Sequence, residues 1–557
     1  MRLPVYLDHA ATTPVDPAVA EAMMQCLASQ ESFANPSSDH RAGRAAAVLV
    51  ERARAQVAAL LGAEPDEIIF TSGATESTNL AVLGSARANA DRGRHIVTSR
   101  IEHKAVLDPC RQLEKEGFRV TYLAPDRSGL ISPAALAAAL RPDTILATLM
   151  HVNNETGVIG DIAAFASVCR SRGVTFHTDA AQSVGHIATD VRELAVDLLS
   201  LTAHKLHGPK GIGALYVRRG VRGRLAPLGF GGSQEGGLRP GTLPTHQIVG
   251  FGVAVEQAAR LRASEFVRLA GLRDRLWGGL EALPGIHLNG ASAPRVPHIL
   301  SVSVEAVDGE SLVAGLGTLA ISRGAACNSA SGEPSYVLRA LGRSTRLAES
   351  SLRFSLGRRT TSQEIEHAID EVRREVTRLR HASPGGGALP PGGISLAGGT
   401  SPGGGAEPAG LAGSLDPGGT EVDRLFAALP GCGTLPDCAG TVLHGEGGGP
   451  DREAWVRFHL LVENDIVKDA RFEARGCPHT LATAAWLARE VRGRRCEDLP
   501  GAGPEAWART LEVPVEKLGR LFAIEDALVA ALRSGASASH RSGPRRVREE
   551  DHGHLSD

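Results

Sequence analysis

Between about residues 61 and 217 short apolar, β-rich runs alternate with stretches of helical periodicity. The runs are 67–71, 95–99, 119–123, 144–150, 174–178 and 196–201. Strands that are apolar on both faces and separated by helices predict a mainly parallel sheet covered on its two sides. In such sheets reactive groups collect at the carboxyl ends of the strands. Polar clusters follow the runs in that way: Thr75-Glu76, Glu102-His103, Asn153-Asn154, Asp179 and His204-Lys205. One shared cleft is expected.

Beyond the sheet the pattern divides the chain into units. Residues 1–255 are expected to form the large α/β domain, with the extreme N-terminus packing against the next unit. Residues 256–382 read as a smaller α+β domain, in which amphipathic helices bracket apolar runs at 299–304 and 351–355. Residues 383–420 are repeated Pro-Gly-Gly units with few apolar side chains, a linker composition that cannot bury enough surface to fold. Apolar periodicity returns over 421–534, with a strand pair at 455–462 and 466–472 and helices over about 480–492 and 515–532. The charged, His-rich residues 535–557 are expected to be a disordered tail.

Composition narrows the classes of function. A chain of 557 residues needs several folding units. A formal net charge of −2 gives no electrostatic reason to propose nucleic acid or a membrane as a partner. Asp8 and His9 interrupt what a signal peptide would need, and no run approaches a membrane span, so a cytoplasmic enzyme is expected. The 8 cysteines are too sparse for a disulfide framework, which leaves thiol or metal-ligand roles.

Lys205 lies between an apolar run and the glycine turn His207-Gly-Pro-Lys-Gly-Ile-Gly213. An amine so placed can lose its proton by desolvation and condense with an aldehyde, which points to pyridoxal phosphate. Ser72-Gly-Ala-Thr-Glu-Ser77 opens a helix after a strand and offers backbone N–H groups and the Thr75 hydroxyl to a phosphate. Asp179 follows a strand, where a half-buried carboxylate suits a pyridinium nitrogen; it also suits a helix cap. His103 can stack on a cofactor or serve as a structural histidine. Cys327 sits in a run of small residues, 322–332, with little to anchor it in a core.

Tyr6-Leu-Asp-His-Ala-Ala-Thr-Thr-Pro14, Phe70-Thr-Ser-Gly-Ala-Thr-Glu-Ser77, Glu102-His-Lys-Ala-Val-Leu-Asp108, Met150-His-Val-Asn-Asn-Glu155, His204-Lys205 and Gly241-Thr-Leu-Pro244 resemble the IscS/NifS-type cysteine desulfurases, over about residues 3–382. The resemblance implies a fold-type I pyridoxal-phosphate transferase that works as a homodimer. It implies that Lys205 forms the Schiff base, Asp179 faces the ring nitrogen, His103 stacks on the ring, Gln182 contacts the ring oxygen and Asn154 lies beside it. Ala74, Thr75, Thr202 and His204 would hold the phosphate, with Thr242 entering from the partner subunit. Arg353 would fork the carboxylate of L-cysteine, near Asn154. Lys205 and His103 would move protons, and Cys327 would take the sulfur as a persulfide while alanine leaves. The sulfur would supply iron-sulfur cluster assembly and other thio-cofactors or tRNA thiolation. Ala325 replaces the serine usual two residues before the family's cysteine. A selenocysteine lyase or another aminotransferase-family enzyme is the alternative.

Residues 467–483 and 513–527 resemble the IscU/NifU-type iron-sulfur scaffold, a small α+β domain. That family places three cysteines around a cluster. Cys477 fills the middle position, Asp451-Arg-Glu-Ala454 occupies the first and Gly519-Arg520 the third. A transient cluster would have Cys327 and Cys477 as candidate ligands, or a rearranged set drawn from Cys432, Cys438, Cys477 and His479. Cys477 alone accepting sulfur from Cys327, and a domain kept only as an interaction module, are the competing readings. Sulfur acceptors and iron-sulfur assembly proteins are the implied partners.

Overall fold

The computed structural model describes residues 4–324, 333–383, 419–435, 440–449 and 453–539. They group into two compact units, one of residues 1–305 and 317–373 and the other of 306–316 and 374–557.

The first unit is built on a 7-stranded sheet. Its order across the sheet is Ile68–Thr71, Gly213–Val217, Leu198–Thr202, Thr175–Asp179, Thr144–Thr148, His95–Ser99 and Arg119–Leu123. Gly213–Val217 runs antiparallel to both neighbours, and the remaining pairs are parallel. The inner strands are buried along their whole length, which accounts for their uninterrupted apolar character. Ile248, Phe251 and Val255 of helix Thr245–Glu281 enter the main core, and the expected domain boundary at residue 255 falls within this helix. A second sheet pairs Ile286–Leu288, Ile299–Val304 and Ser351–Ser355 in antiparallel fashion. The N-terminal strand Val5–Tyr6 lies beside Leu319–Ala320.

The second unit has a 3-stranded antiparallel sheet of Thr441–Gly448, Trp455–Glu463 and Ile466–Arg475. Helix Leu518–Ser539 lies directly on the first strand: a Cβ on Gly445 would stand 1.9 Å from the Ala531 nitrogen, and one on Gly447 2.0 Å from the Ala523 oxygen. Glycine is therefore required at both positions for the helix to approach. Helix Pro478–Glu490 buries Leu481, Ala485 and Ala488 on the same core. Among the described residues no helix is long and apolar enough to cross a membrane.

Candidate active site

The carboxyl ends of the large sheet's strands open into a cavity of about 450 Å³. Ala74, Thr75, His103, Asn154, Asp179, Gln182, Thr202, His204 and Lys205 all line it. The reason is topological: they end or follow five strands, Ile68–Thr71, His95–Ser99, Thr144–Thr148, Thr175–Asp179 and Leu198–Thr202, whose carboxyl ends lie on one side.

The phosphate side is a strand-turn-helix. Strand Ile68–Thr71 turns at Gly73 into helix Ala74–Asn79, which presents its first backbone N–H groups and Thr75 to the cavity. A Cβ on Gly213 would stand 2.7 Å from the Gly73 Cα, so the glycine there lets the turn lie against the neighbouring strand. Thr202 ends its own strand, and its hydroxyl donates to the Ile212 carbonyl at 3.4 Å. His204 Nδ1 lies 3.1 Å from Thr12 Oγ1, and burial lowers its pKa to about 4, so the ring is neutral.

Lys205 ends the single turn Ala203–Lys205 that follows this strand. Its backbone is held on both sides. The His204 carbonyl accepts from the Thr13 backbone N–H at 2.9 Å and from the Thr13 hydroxyl at 2.8 Å, and His186 Nε2 lies 3.2 Å from the Lys205 carbonyl. His186 in turn stacks on His298, with ring centroids 3.9 Å apart. Burial lowers the pKa of His186 to about 4, so it supports Lys205 without adding charge.

Asp179 is the last residue of its strand and accepts from the Ala181 N–H at 2.9 Å. Two residues earlier, His177 is buried between its neighbours, with Nδ1 2.8 Å from Thr148 Oγ1 and Nε2 2.8 Å from Ser200 Oγ. Burial lowers its pKa to about 4, and the neutral ring ties three strands together beneath the cavity. His103 caps helix Lys104–Lys115, its Nδ1 accepting from the Ala105 N–H at 3.1 Å, which leaves the proton of the neutral ring on Nε2. Burial holds its pKa below the usual histidine range.

Asn154 Oδ1 and Gln182 Oε1 are buried acceptors with no partner among the described residues. Buried polar atoms are nearly always hydrogen-bonded, so two orphans in one cavity wall call for a polar molecule between them. With a helix N-terminus for an anion, a carboxylate for a cationic ring nitrogen and an amine for an aldehyde, this set fits pyridoxal phosphate.

Three expected residues lie outside this wall. Arg353 is fully buried and engaged: Nη1 donates to the Asn154 carbonyl at 2.8 Å, Nη2 to Asp8 Oδ1 at 2.7 Å and to Ser322 Oγ at 3.2 Å, which leaves Nε unpartnered. Thr242 is exposed and does not border the cavity of its own chain. Cys327 lies outside the described residues, as does Cys438.

Two buried carboxyls were given no role by sequence reasoning, although Glu102 was named with His103 at a strand end. Burial raises Glu102 to about 8 and Glu155 to about 7. Glu102 accepts from Ser99 Oγ at 2.6 Å and from the Met150 N–H at 3.1 Å, and Glu155 accepts from Ser335 Oγ. Their positions next to His103 and Asn154 were a usable signal. His186 and His298 gave none, because nothing in the sequence pairs residues so far apart.

Residues 5–367 match the family described as Aminotransferase class-V, and residues 435–535 match the NifU-like N terminal domain. Cysteine desulfurase IscS of Pectobacterium atrosepticum is 57% identical over 385 residues, covering 69% of this chain and 95% of that protein. The chain belongs to the class-V aminotransferase family as an IscS-type cysteine desulfurase. Among solved structures, a NifS-like protein matches with a TM-score of 0.62 at 35% identity, over 68% of this chain and all of that one. SspA in complex with cysteine matches with a TM-score of 0.56 at 42% identity, over 63% of this chain and 98% of that one. The desulfurase is pyridoxal-phosphate dependent, cysteine is the substrate of its family, and the NifU-like domain fits iron-sulfur assembly.

That second domain fills one of the three scaffold cysteine positions, with Cys477; Cys432 of the rearranged set is half-buried, and burial raises the pKa of its thiol to about 11. Cys477 caps helix Pro478–Glu490, fully buried, with Sγ 3.4 Å from Thr480 Oγ1. Burial pushes the thiol up, but hydrogen bonds from His479 and Thr480 and the charge of Arg520 outweigh it, and its pKa lies below the ordinary value. Arg520 also donates to Glu453 Oε2 at 2.9 Å. Among the described residues no three His, Cys, Asp or Glu side chains are grouped to hold a metal ion.

Proposed function

We propose that this cavity binds pyridoxal phosphate through Lys205 and releases alanine from L-cysteine. The observation that carries the reading is the convergence of Lys205, Asp179 and Thr75 on one cavity whose wall holds the orphaned Asn154 and Gln182 oxygens. Ala74, Thr75, Thr202 and His204 would hold the phosphate, helped by the partner's Thr242 in a homodimer. Asp179 would face the ring nitrogen, and His103 would cover the ring. The cofactor, when bound, withdraws electrons from the Cα of the amino acid joined to it. Lys205 takes and returns the proton at Cα, and His103 Nε2 exchanges one with the substrate thiol. Arg353 binds the carboxylate, its Nε being the donor left unpartnered. The Cys327 thiolate attacks the substrate sulfur, and a new S–S bond forms as the carbon–sulfur bond breaks. The carbon side keeps the bonding pair, gains a proton and leaves as alanine. The charge and composition support a cytoplasmic enzyme with no nucleic-acid or membrane partner.

The NifU-like domain receives the sulfur at Cys477 rather than assembling a cluster. Arg520, at the position where the resemblance would put the third cysteine, interacts with Cys477, and a guanidinium repels iron while it favours an anionic sulfur. The Cys477 thiolate attacks the outer sulfur of the Cys327 persulfide, and Cys327 leaves as thiolate, so electrons balance with no outside oxidant. Carrying donor and acceptor on one chain raises their effective concentration to the order of millimolar. In the test, Cys327→Ala keeps the cofactor absorbance and loses at least about a hundredfold in alanine release from cysteine; unchanged release would refute the sulfur step.

A further inference from the structure

The loop that leads to Thr242 is tied back to the phosphate cradle of its own chain at three points. Glu235 is buried and adopts a left-handed backbone at φ 52°. Its carboxylate accepts from the Phe70 N–H at 2.6 Å and forms a two-pronged ion pair with Arg54, both bonds 2.8 Å. Strand Ile68–Thr71 is the edge of the large sheet, so its outward Phe70 N–H and Ile68 carbonyl have no strand to pair with. Glu235 caps the first, and Arg54 Nη1 the second at 2.9 Å. The Arg54 guanidinium also lies over the Phe70 ring, 4.7 Å from its centroid.

Leu238 packs into an apolar cluster with Ile69 and with Leu80, which continues the cradle helix. Arg239 Nε donates to Glu76 Oε1 at 3.1 Å, and the other Glu76 oxygen accepts from the Ser72 N–H. The strand end before the cradle and the helix after it are thus gripped by residues a few positions apart on one loop. Glu235 and Arg239 touch neither each other's partner nor the cavity's amine end, so what they fix is the direction of the N–H groups at residues 72–75.

We infer that Glu235 and Arg239 are positioning residues for the cofactor phosphate, acting through Phe70 and Glu76 to hold the cradle in its binding shape. This rests on the pyridoxal-phosphate reading above. A cradle released from this brace must be ordered by the ligand, and that cost falls on the phosphate alone. The brace therefore governs the preference for pyridoxal phosphate over pyridoxal, which has the same aldehyde and ring but no phosphate.

The test uses the full chain stripped of cofactor, titrated with each compound while the absorbance of the Lys205 Schiff base is followed. Glu235→Gln is expected to weaken pyridoxal phosphate about tenfold, as for loss of one buried hydrogen bond to a charged group, and Arg239→Ala about fivefold, as for a partly exposed ion pair, both leaving pyridoxal within about twofold. Equal weakening of both compounds would mean general structural support, and no weakening of either would mean no role; both overturn the inference. If Glu235→Gln does not fold, Arg239→Ala decides, since its side chain is partly exposed. If the unaltered protein forms no Schiff base with either compound, the cofactor reading fails rather than the brace.

Discussion

The chain holds two sites built around one reactive side chain at the start or end of a helix, and they differ in completeness. Around Lys205 the neighbours that the chemistry needs arrive from the ends of five strands, and two oxygens are left waiting for a ligand. Around Cys477 the sulfur itself is held: Thr480 Oγ1 lies 3.4 Å away, His479 and Arg520 stabilise its thiolate, and Arg520 is shared with Glu453, so the one opening among these described neighbours is the buried, unpartnered His479 Nδ1. A wall with open acceptors marks a place for a large polar cofactor. A closed set around a single anionic atom marks a place for that atom.

The largest way to break this contrast is Lys205→Ala, which removes the amine without disturbing the phosphate cradle. Alanine formation is expected to fall at least about a thousandfold and the Schiff-base absorbance to vanish, while an aldehyde-free analogue still binds. Survival of the absorbance would assign the amine elsewhere. Gly445→Ala addresses the scaffold of the other site, since the added methyl meets the helix backbone. Overpacking there should cost about 1–3 kcal/mol in denaturant unfolding of the second unit, with cysteine turnover retained. A neutral result would mean the helix is free to move off the sheet.

A smaller effect distinguishes the electrostatics of the first unit. Burial raises Glu155 from 4.5 to about 7, so ionising it costs the folded state. The penalty is absent below about pH 4.5, grows between there and about pH 7, and is complete above. Glu155→Gln should therefore gain stability relative to the unaltered protein as pH rises through that window, and run parallel to it above. A difference independent of pH would show that Glu155 ionises freely. The smallest expected change is in turnover of cysteine by Cys477→Ser, within about twofold of the unaltered enzyme when an external thiol reductant clears Cys327.

Much of this was legible in the sequence, and the exceptions have physical causes. The parallel strands announced themselves because burial on both faces demands unbroken apolar runs. Strand Thr441–Gly448 was hidden, because the glycines at 445 and 447 that admit the helix also erase the β-rich pattern. Lys205, Asp179 and Thr75 were visible as polar residues at strand ends. The clamp of Glu235 on Phe70, and the stack of His186 and His298 behind Lys205, were not, since they join residues distant in sequence through contacts with no period. The Arg520 substitution was legible as a missing thiol, but its contact with the Cys477 sulfur needed the fold.

Where the sulfur goes after Cys327 distinguishes a tethered acceptor from a cluster scaffold. The full chain, holding its cofactor and kept anaerobic, would be given sulfur-labelled L-cysteine with ferrous iron, then digested without reduction for mass spectrometry of the cysteine peptides. Label on both Cys327 and Cys477, with no iron retained by the protein and no label on Cys477 in the Cys327→Ala chain, is the predicted result. Label confined to Cys327, or iron and sulfide retained together through Cys477, would contradict it.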